Sequence, residues 1–365
     1  MKKIAIIFGG KSGEHEVSLV SASSIVKVIN ERSFEVIQIG ITESGRWYTG
    51  ENCLDKFKSK NLEGLTEIFI STDPERIGFI PENGGFIAVD VCFPVLHGPF
   101  GEDGTIQGLF EMMNVPYVGC GVLASSTAMD KLQCKAIWEA AGLPVVPYIG
   151  LGRSAWEKDS ELVLREVKEK LKLPLFVKPA NMGSSVGITK VKEWNDLKAA
   201  INEAANYDNR ILIENGLNVR EIECAILGND DLVASPLGEI IVGGEFYDFN
   251  DKYVNGVSRS QIPAEISDDL SKRIKEMSIK AYRLLNCSGL SRVDSFIDKD
   301  TGDIFLNEIN TLPGFTSISM YPKMMEAYGM SYHSLIERLI ELAFERYEDR
   351  KKNRVNFNSG SDWFV

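Results

Sequence analysis

The sequence predicts an α/β fold for its first third and α+β folds for the remainder, and three observations carry that reading. An apolar run of strand length, Ile4 to Phe8, opens into a Gly-rich loop and then an apolar-periodic helix beginning near Ser18. A second strand, Phe34 to Ile39, follows that helix, the order that builds a parallel, doubly wound unit. Past residue 120 the pattern changes to hairpin-like strand pairs beside helices.

Taken in order, residues 50–85 read as an irregular, polar insertion. Val89 to Pro94 reads as a buried strand ending at a second Gly-rich loop, His97 to Gly104, with a helix from Thr105 to Met113 after it. Residues 1–119 therefore form a first unit. A second, 120–214, carries two helices (Ser126 to Ala141 and Trp156 to Leu171), then strand Leu175 to Val177, a Gly/Ser loop, a short strand Gly187 to Val191, helix Trp194 to Ala205 and strand Ile211 to Glu214. A third, 215–349, begins with strands and continues with helix Asp268 to Leu285, a hairpin over 291–310 and an amphipathic helix from His333 to Tyr347. Residues 350–365 read as a polar tail.

At 365 residues the chain is long enough for two or three packed units. A net charge of −12 disfavours nucleic acid or an anionic membrane as the main partner, though a local basic pocket remains compatible with an anionic small molecule. No signal peptide is expected after Met1-Lys2-Lys3, and no run approaches the roughly 18 apolar residues of a membrane span. The six cysteines are scattered without a CxxC pair, which reads as reduced, mostly buried thiols in a cytoplasmic protein. With three histidines in the chain, a His-built metal site is not expected.

The hairpin is the strongest chemical signal. Side chains alternate along a strand, so Arg292, Asp294 and Phe296 share one face, and Glu308 and Asn310 share one on the returning strand. If the register aligns those faces, two carboxylates and an amide oxygen converge, an all-oxygen set suited to Mg²⁺. The same residues, taken alone, also describe an ordinary solvated strand face. Leu175 to Pro179 delivers Lys178 ahead of a loop containing Ser184 and Ser185, which suits a lid over a polyphosphate, or a plain turn with a surface lysine. The first loop, Gly9 to Ser18, sits before a helix N-terminus and could receive an anion, but it fails G-x-G-x-x-G, so a dinucleotide-dependent oxidoreductase is disfavoured. Glu14 and His97 have structural readings as well, a solvated loop acid and a satisfied strand-end histidine. Lys252 and Tyr253 lie in a polar aromatic loop that could fold over a site.

Together, in this order, these segments resemble the ATP-grasp superfamily and specifically the D-alanine–D-alanine ligase family, from residue 1 to about 348. The resemblance rests on the loop from Gly9 to Ser18, the stretch His97 to Gly108, Met129-Asp130-Lys131, Val177-Lys178-Pro179 with Gly183 to Gly187, Tyr247-Asp248 with Lys252-Tyr253, and Arg292 to Ser317. It implies a three-domain ATP-grasp architecture with a doubly wound N-terminal unit. It also implies an enzyme that joins two D-alanines through a D-alanyl phosphate, for peptidoglycan precursor synthesis.

By that resemblance, Lys131, Lys178 and Lys252 meet ATP phosphates under a lid containing Ser184 and Ser185. Glu214 and Leu217 meet adenine, Glu221 the ribose, and Phe246 and Phe296 the adenine faces. Asp294, Glu308 and Asn310 hold two Mg²⁺, with Mn²⁺ as a substitute. Glu14, Val17 and His97 frame the first D-alanine; Arg292, Gly314, Ser319 and Met320 frame the second. Glu14, Ser184, Tyr253, Arg292 and Gly314 form the catalytic set, and the partners are ATP, D-alanine and a second copy in a homodimer. Asn215-Gly216 stands where family members often carry Lys-Trp, a difference that bears on side-chain contacts to adenine and not on backbone ones. Tyr253, where lactate-using relatives tend to carry histidine, favours the dipeptide. D-Serine or D-lactate as second substrate, and a non-catalytic ATP-binding protein on the same fold, are the alternatives.

Overall fold

The structure is a computed structural model that describes residues 1–29, 34–73, 75–241, 259–316 and 318–354. Strand β1 (Lys2–Gly9) buries Ile4 to Phe8 completely. It lies beside the parallel β2 (Phe34–Ile41), with α1 (His15–Val28) as the crossover. Burial on both faces explains the unbroken apolar run. The helix starts three residues before Ser18. Ser18 does not cap it: its hydroxyl donates to Val95 O and accepts from Gly9 N at 2.7 Å, pinning the loop from inside the helix. Gly9 turns the chain at φ +88°, where a Cβ would lie 2.2 Å from Ile41 O.

Residues 50–85 are not irregular. After β3 (Trp47–Thr49) come α2 (Cys53–Lys58), β4 (Thr66–Ile70), β5 (Gly78–Pro81) and β6 (Ile87–Ala88), which extend the first sheet through antiparallel pairings. With β7 (Val91–Val95) parallel to β1, the order is β6-β5-β4-β3-β2-β1-β7. Strands of two to five residues with few buried positions give little periodic signal. Helix α3 (Thr105–Met112) closes this unit.

The two long helices expected next are each broken by an aspartate. Helices α4 (Val122–Met129) and α5 (Lys131–Ala140) meet at Asp130, whose ψ of 101° leaves helical space and whose carboxylate accepts from the Leu132 and Gln133 N–H groups at 3.0 Å. After β8 (Tyr148–Gly152), Asp159 likewise separates α6 (Arg153–Lys158) from α7 (Ser160–Lys170), accepting from Leu162 N at 2.9 Å. These caps satisfy N–H groups that a helix start leaves unpaired. Strands β9 (Leu175–Pro179) and β10 (Thr189–Val191), a 3-10 turn at Trp194–Asp196, α8 (Leu197–Tyr207) and β11 (Arg210–Asn215) complete an antiparallel sheet ordered β10-β9-β11-β8. Helices α7 and α8 cover one face of it.

The third sheet, β15-β14-β12-β16-β17, is built from β12 (Val219–Leu227), with β13 (Val233–Ala234) pairing to it, β14 (Gly238–Ile241), β15 (Arg259–Gln261), and, after α9 (Asp268–Leu284), β16 (Leu290–Asp298) and β17 (Ile304–Asn310). Its apolar face, with Ile222, Cys224, Val293 and Ile309, packs against α9 and also against α4 and α5 from the preceding span. Helix α10 (Met320–Tyr328) was not foreseen, because Pro322 reads as a breaker; in a first turn its missing N–H costs nothing. Helix α11 (Tyr332–Arg350) then packs Leu339 and Ile340 in one cluster with Ile4, Ile6 and Phe93 of the first sheet. Three sheets thus follow one another along the chain, with helices crossing between their cores. All six cysteines are free and buried. No described helix is long and apolar enough to cross a membrane.

The caps give a measurable contrast. Asp159→Ala should lower the unfolding free energy by about 1 kcal/mol through the lost cap. Asp130→Ala should cost more, about 2 kcal/mol, because Asp130 also pairs with Arg210. Denaturant midpoints of the two variants check the ranking; equal shifts would show that the Arg210 contact contributes nothing.

Candidate active site

The three sheets enclose a cavity of about 1310 Å³. The first unit contributes Glu14, Val17 and His97 to its wall; the second contributes Lys131, Lys178, Ser184, Ser185 and Glu214. Leu217 follows β11, and the third sheet supplies Glu221, Arg292, Asp294, Phe296, Glu308 and Asn310. The segment leading into α10 adds Gly314 and Ser319, and the first residue of α10 adds Met320. Phe246, Lys252 and Tyr253 lie outside the described residues.

The hairpin register meets the condition set by the sequence. Arg292 pairs with Asn310 across β16 and β17, and Asp294 with Glu308. A bulge after Asp294 shifts the ladder, so Ser295 faces Leu306 and Asn307 takes the extra position. Arg292 donates from Nε and Nη2 to the two oxygens of Asp294, at 2.7 and 2.6 Å. It also stands 3.3 Å from Glu223 of β12. Burial alone would weaken the guanidinium's charge, but Asp294 and Glu223 hold its pKa well above the ordinary arginine value. The Asn310 amide donates to Asp294 Oδ2 at 3.0 Å.

The second sheet presents its lysines on the face opposite α7 and α8. Lys178 Nζ lies 2.5 Å from Glu214 Oε1. Lys135 of α5 approaches the other oxygen, Oε2, at 2.8 Å. Burial pushes the Glu214 carboxyl up, yet Lys135 and Lys178 together bring it down to about 2. Burial likewise opposes the charge on Lys178, and Glu214 raises it above the usual lysine value. Lys131 donates to Met182 O at 2.8 Å and lies 3.4 Å from Glu308, tying α5 to both the loop and the hairpin.

At the opposite edge, Ser184 donates to Glu14 Oε1 across 170 residues of chain. Glycine makes this approach possible: a Cβ on Gly98 would lie 2.4 Å from Glu14 Oε2. His97 is buried, with Nδ1 3.2 Å from Leu312 O and Nε2 3.1 Å from Ser21 Oγ. Burial lowers its pKa, but Glu102, 3.9 Å away, and Glu14 outweigh that and raise it. Ser319 Oγ accepts from Thr316 N at 3.1 Å just beside Gly314.

Sequence reasoning missed Lys135, Glu102 and Glu223. Lys135 follows Lys131 by four residues, so the helical period puts both on one face. Glu223 follows Glu221 by two, the strand period. Those spacings were the available signals.

Among the described residues, no three His, Cys, Asp or Glu side chains cluster to hold a metal ion. The set that does converge is Asp294 directly opposite Glu308, with the Asn310 amide in contact with Asp294. Two carboxylates and an asparagine lining one cavity are oxygen-bearing side chains of the kind that fit a hard cation such as Mg²⁺.

Comparison with known proteins places this geometry. Residues 3–120 match the family described as D-ala D-ala ligase N-terminus, and residues 137–341 that described as D-ala D-ala ligase C-terminus. The chain belongs to the D-alanine–D-alanine ligase family. It is 50% identical over 353 residues to the D-alanine–D-alanine ligase of Heliobacterium modesticaldum, covering 96% of each chain. It is 48% identical to that of Acetivibrio thermocellus, covering 96% of this chain and 98% of the relative. Among solved structures, the D-alanine-D-alanine ligase from Coxiella burnetii superposes with a TM-score of 0.85 at 34% identity, covering 96% of each chain. The VanG D-Ala:D-Ser ligase from Enterococcus faecalis superposes at 0.84 with 42% identity, covering 94% of this chain and 99% of that one. The ATP-grasp architecture read from the sequence is the fold of these ligases.

A matched pair of glycines isolates the Glu14 contact. Gly98 (φ +70°) and Gly302 (φ +78°) both sit in left-handed space, but a Cβ on Gly302 meets nothing within 4 Å. Alanine at either should cost about 1–2 kcal/mol of stability from backbone strain. Gly98→Ala should additionally displace Glu14 and cut ligase turnover by about 10²-fold. Equal turnover in the two variants would show that the Glu14 carboxylate needs no fixed position.

Proposed function

We propose that the chain is an ATP- and Mg²⁺-dependent ligase that joins two D-alanines to D-alanyl-D-alanine. The observation that carries the proposal is the meeting, in one cavity, of a lysine-bearing sheet, a carboxylate hairpin and a Gly-rich edge from three units of a chain in this family.

The chemistry requires an activated carboxylate, since a carboxylate itself is a poor electrophile in water. The γ-phosphoryl group of ATP passes to the first D-alanine, and both reactants are anions. Lys131 and Lys178, with Lys252, draw the phosphates in and offset the repulsion. Asp294, Glu308 and Asn310 would hold two Mg²⁺, with Mn²⁺ as a substitute; bound there, the cation supplies further positive charge to the phosphoryl oxygens. Glu214, Leu217, Glu221, Phe246 and Phe296 seat the nucleoside. Glu14, Val17 and His97 orient the first D-alanine.

The amine of the second D-alanine then attacks the acyl carbon, displacing phosphate. Arg292 and the Gly314 N–H are the donors placed for the oxyanion that forms. Ser319 and Met320 line the second subsite. The loop bearing Ser184 and Ser185, with Tyr253, excludes water from the acyl phosphate. A cytoplasmic homodimer supplying peptidoglycan precursors completes the proposal.

A second reading, D-alanine–D-serine ligation, is favoured by the likeness to VanG, which is 42% identical over nearly the whole chain. One hydroxyl on the second substrate is admitted or rejected by small changes near Ser319 and Met320.

Phosphate release from ATP, Mg²⁺ and D-alanine should depend on D-alanine and yield the dipeptide mass. Adding D-serine or D-lactate should leave the dipeptide dominant; a dominant mixed product would shift the assignment to the second reading. Lys178→Ala should lower kcat by about 10²–10³-fold with the fold intact. Near-normal kcat would remove Lys178 from the phosphate site. Glu14→Gln should chiefly raise KM for the first D-alanine, and unchanged constants there would leave Glu14 a loop acid.

A further inference from the structure

We infer that Lys135, which does not line the cavity, is a positioning residue for ATP: it engages one oxygen of Glu214 and so leaves the charge of Lys178 available to the nucleotide. This rests on the ATP-dependent reading above.

Strand register puts Tyr148, Phe176, Lys178, Leu212 and Glu214 on one face of the second sheet, the face that α5 covers. Lys135 reaches that face from α5 with 1% of its side chain exposed, and Glu214 is 2% exposed. A lysine this deep is costly unless paired, and an apolar residue of similar volume is often the more stable choice. Lys135 has one carboxylate partner at 2.8 Å and an aromatic ring, Tyr148, 5.7 Å from its Nζ. Its position therefore concerns Glu214.

Two ammonium groups share the Glu214 carboxylate, so Glu214 does not by itself neutralise Lys178, the one on the cavity side, which also faces the charges of Glu308 and Glu221. Without Lys135 the pair Lys178–Glu214 is neutral. Both carboxylate oxygens then fall to Lys178 and hold its ammonium away from the phosphates. Lys135 also draws on the carboxylate oxygen that Lys178 does not contact, through charge at 2.8 Å and not through a directed hydrogen bond. The effect is routed through the charge of Glu214, so neutralising Glu214 separates a positioning role from a packing one.

The test measures the ATP dissociation constant by titration together with steady-state constants. Lys135→Met should raise the ATP dissociation constant and KM for ATP by about tenfold while KM for D-alanine stays near wild type. Lys135→Arg should restore most of the loss. In a Glu214→Gln background, adding Lys135→Met should change the ATP dissociation constant little, because the group it acts on is already neutral. Lys178 lacks its Glu214 partner in both the Glu214→Gln variant and the double variant, so that comparison isolates Lys135 whether or not Lys135→Met folds alone. Unchanged ATP affinity in folded Lys135→Met, or a further full loss in the Gln background, overturns the inference. Absence of D-alanine-dependent phosphate release by the wild type would instead overturn the ligase reading, while the binding comparison would still decide the role of Lys135.

Discussion

The register of β16 between β12 and β17 is the constraint on which the rest of the site depends. Each strand alternates its faces, so one fixed pairing sends Val293 and Ile309 into the apolar core while Arg292, Asp294, Phe296 and Glu308 turn to the cavity. A slip of one residue would exchange the two sets, burying charges without partners and exposing the core. The apolar face against α9, α4 and α5 therefore secures the polar one: hydrophobic packing chooses the register, and the register places the carboxylates. The bulge after Asp294 is the one local departure, and it falls immediately beyond the Asp294–Glu308 pair.

The charges so placed are costly to keep. Lys178 is paired with Glu214, Lys131 with Glu308, and Arg292 with Asp294 and Glu223, all in partly or wholly buried positions. Buried ion pairs of this kind seldom add stability compared with apolar residues of the same volume. A chain selected for stability alone would not maintain three of them around one cavity. What the arrangement gains is preorganisation: charges already oriented need not reorganise when an anionic ligand arrives. An acidic protein of net charge −12 thus presents cations where a polyphosphate would enter.

How much of this was legible in the sequence follows from which rules act locally. The hairpin face could be read because strand alternation needs only the neighbours, and the loops because glycines mark sharp turns. The edge strands between 66 and 88 could not, since pairings two to five residues long leave no period to detect. Asp130 and Asp159 were read through as helix interior, although each ends one helix and caps the next; the signal was present in the residue type and was outweighed by the apolar spacing around it. Lys135 was missed for a different reason. Its partner lies 79 positions along the chain on β11, so the spacing from Lys131 gives its helix face but not the carboxylate that it meets.

The contact between Glu14 and Ser184 joins the first unit to the loop of the second, and its backbone setting says more than its length in sequence. Ser184 and Ser185 hold φ values of 50° and 60°, left-handed space that costs about 1–2 kcal/mol for each non-glycine residue. Glycine at either position would remove that cost, so the serine side chains must return something for it. For Ser184 the return is the bond to Glu14, an acid that Gly98 admits because it lacks a Cβ. The loop's conformation and the position of Glu14 consequently determine one another. Whatever occupies the cavity beside Glu14 bears on the loop that covers it, and the thermodynamic reciprocity of coupled sites makes the influence run equally in the other direction.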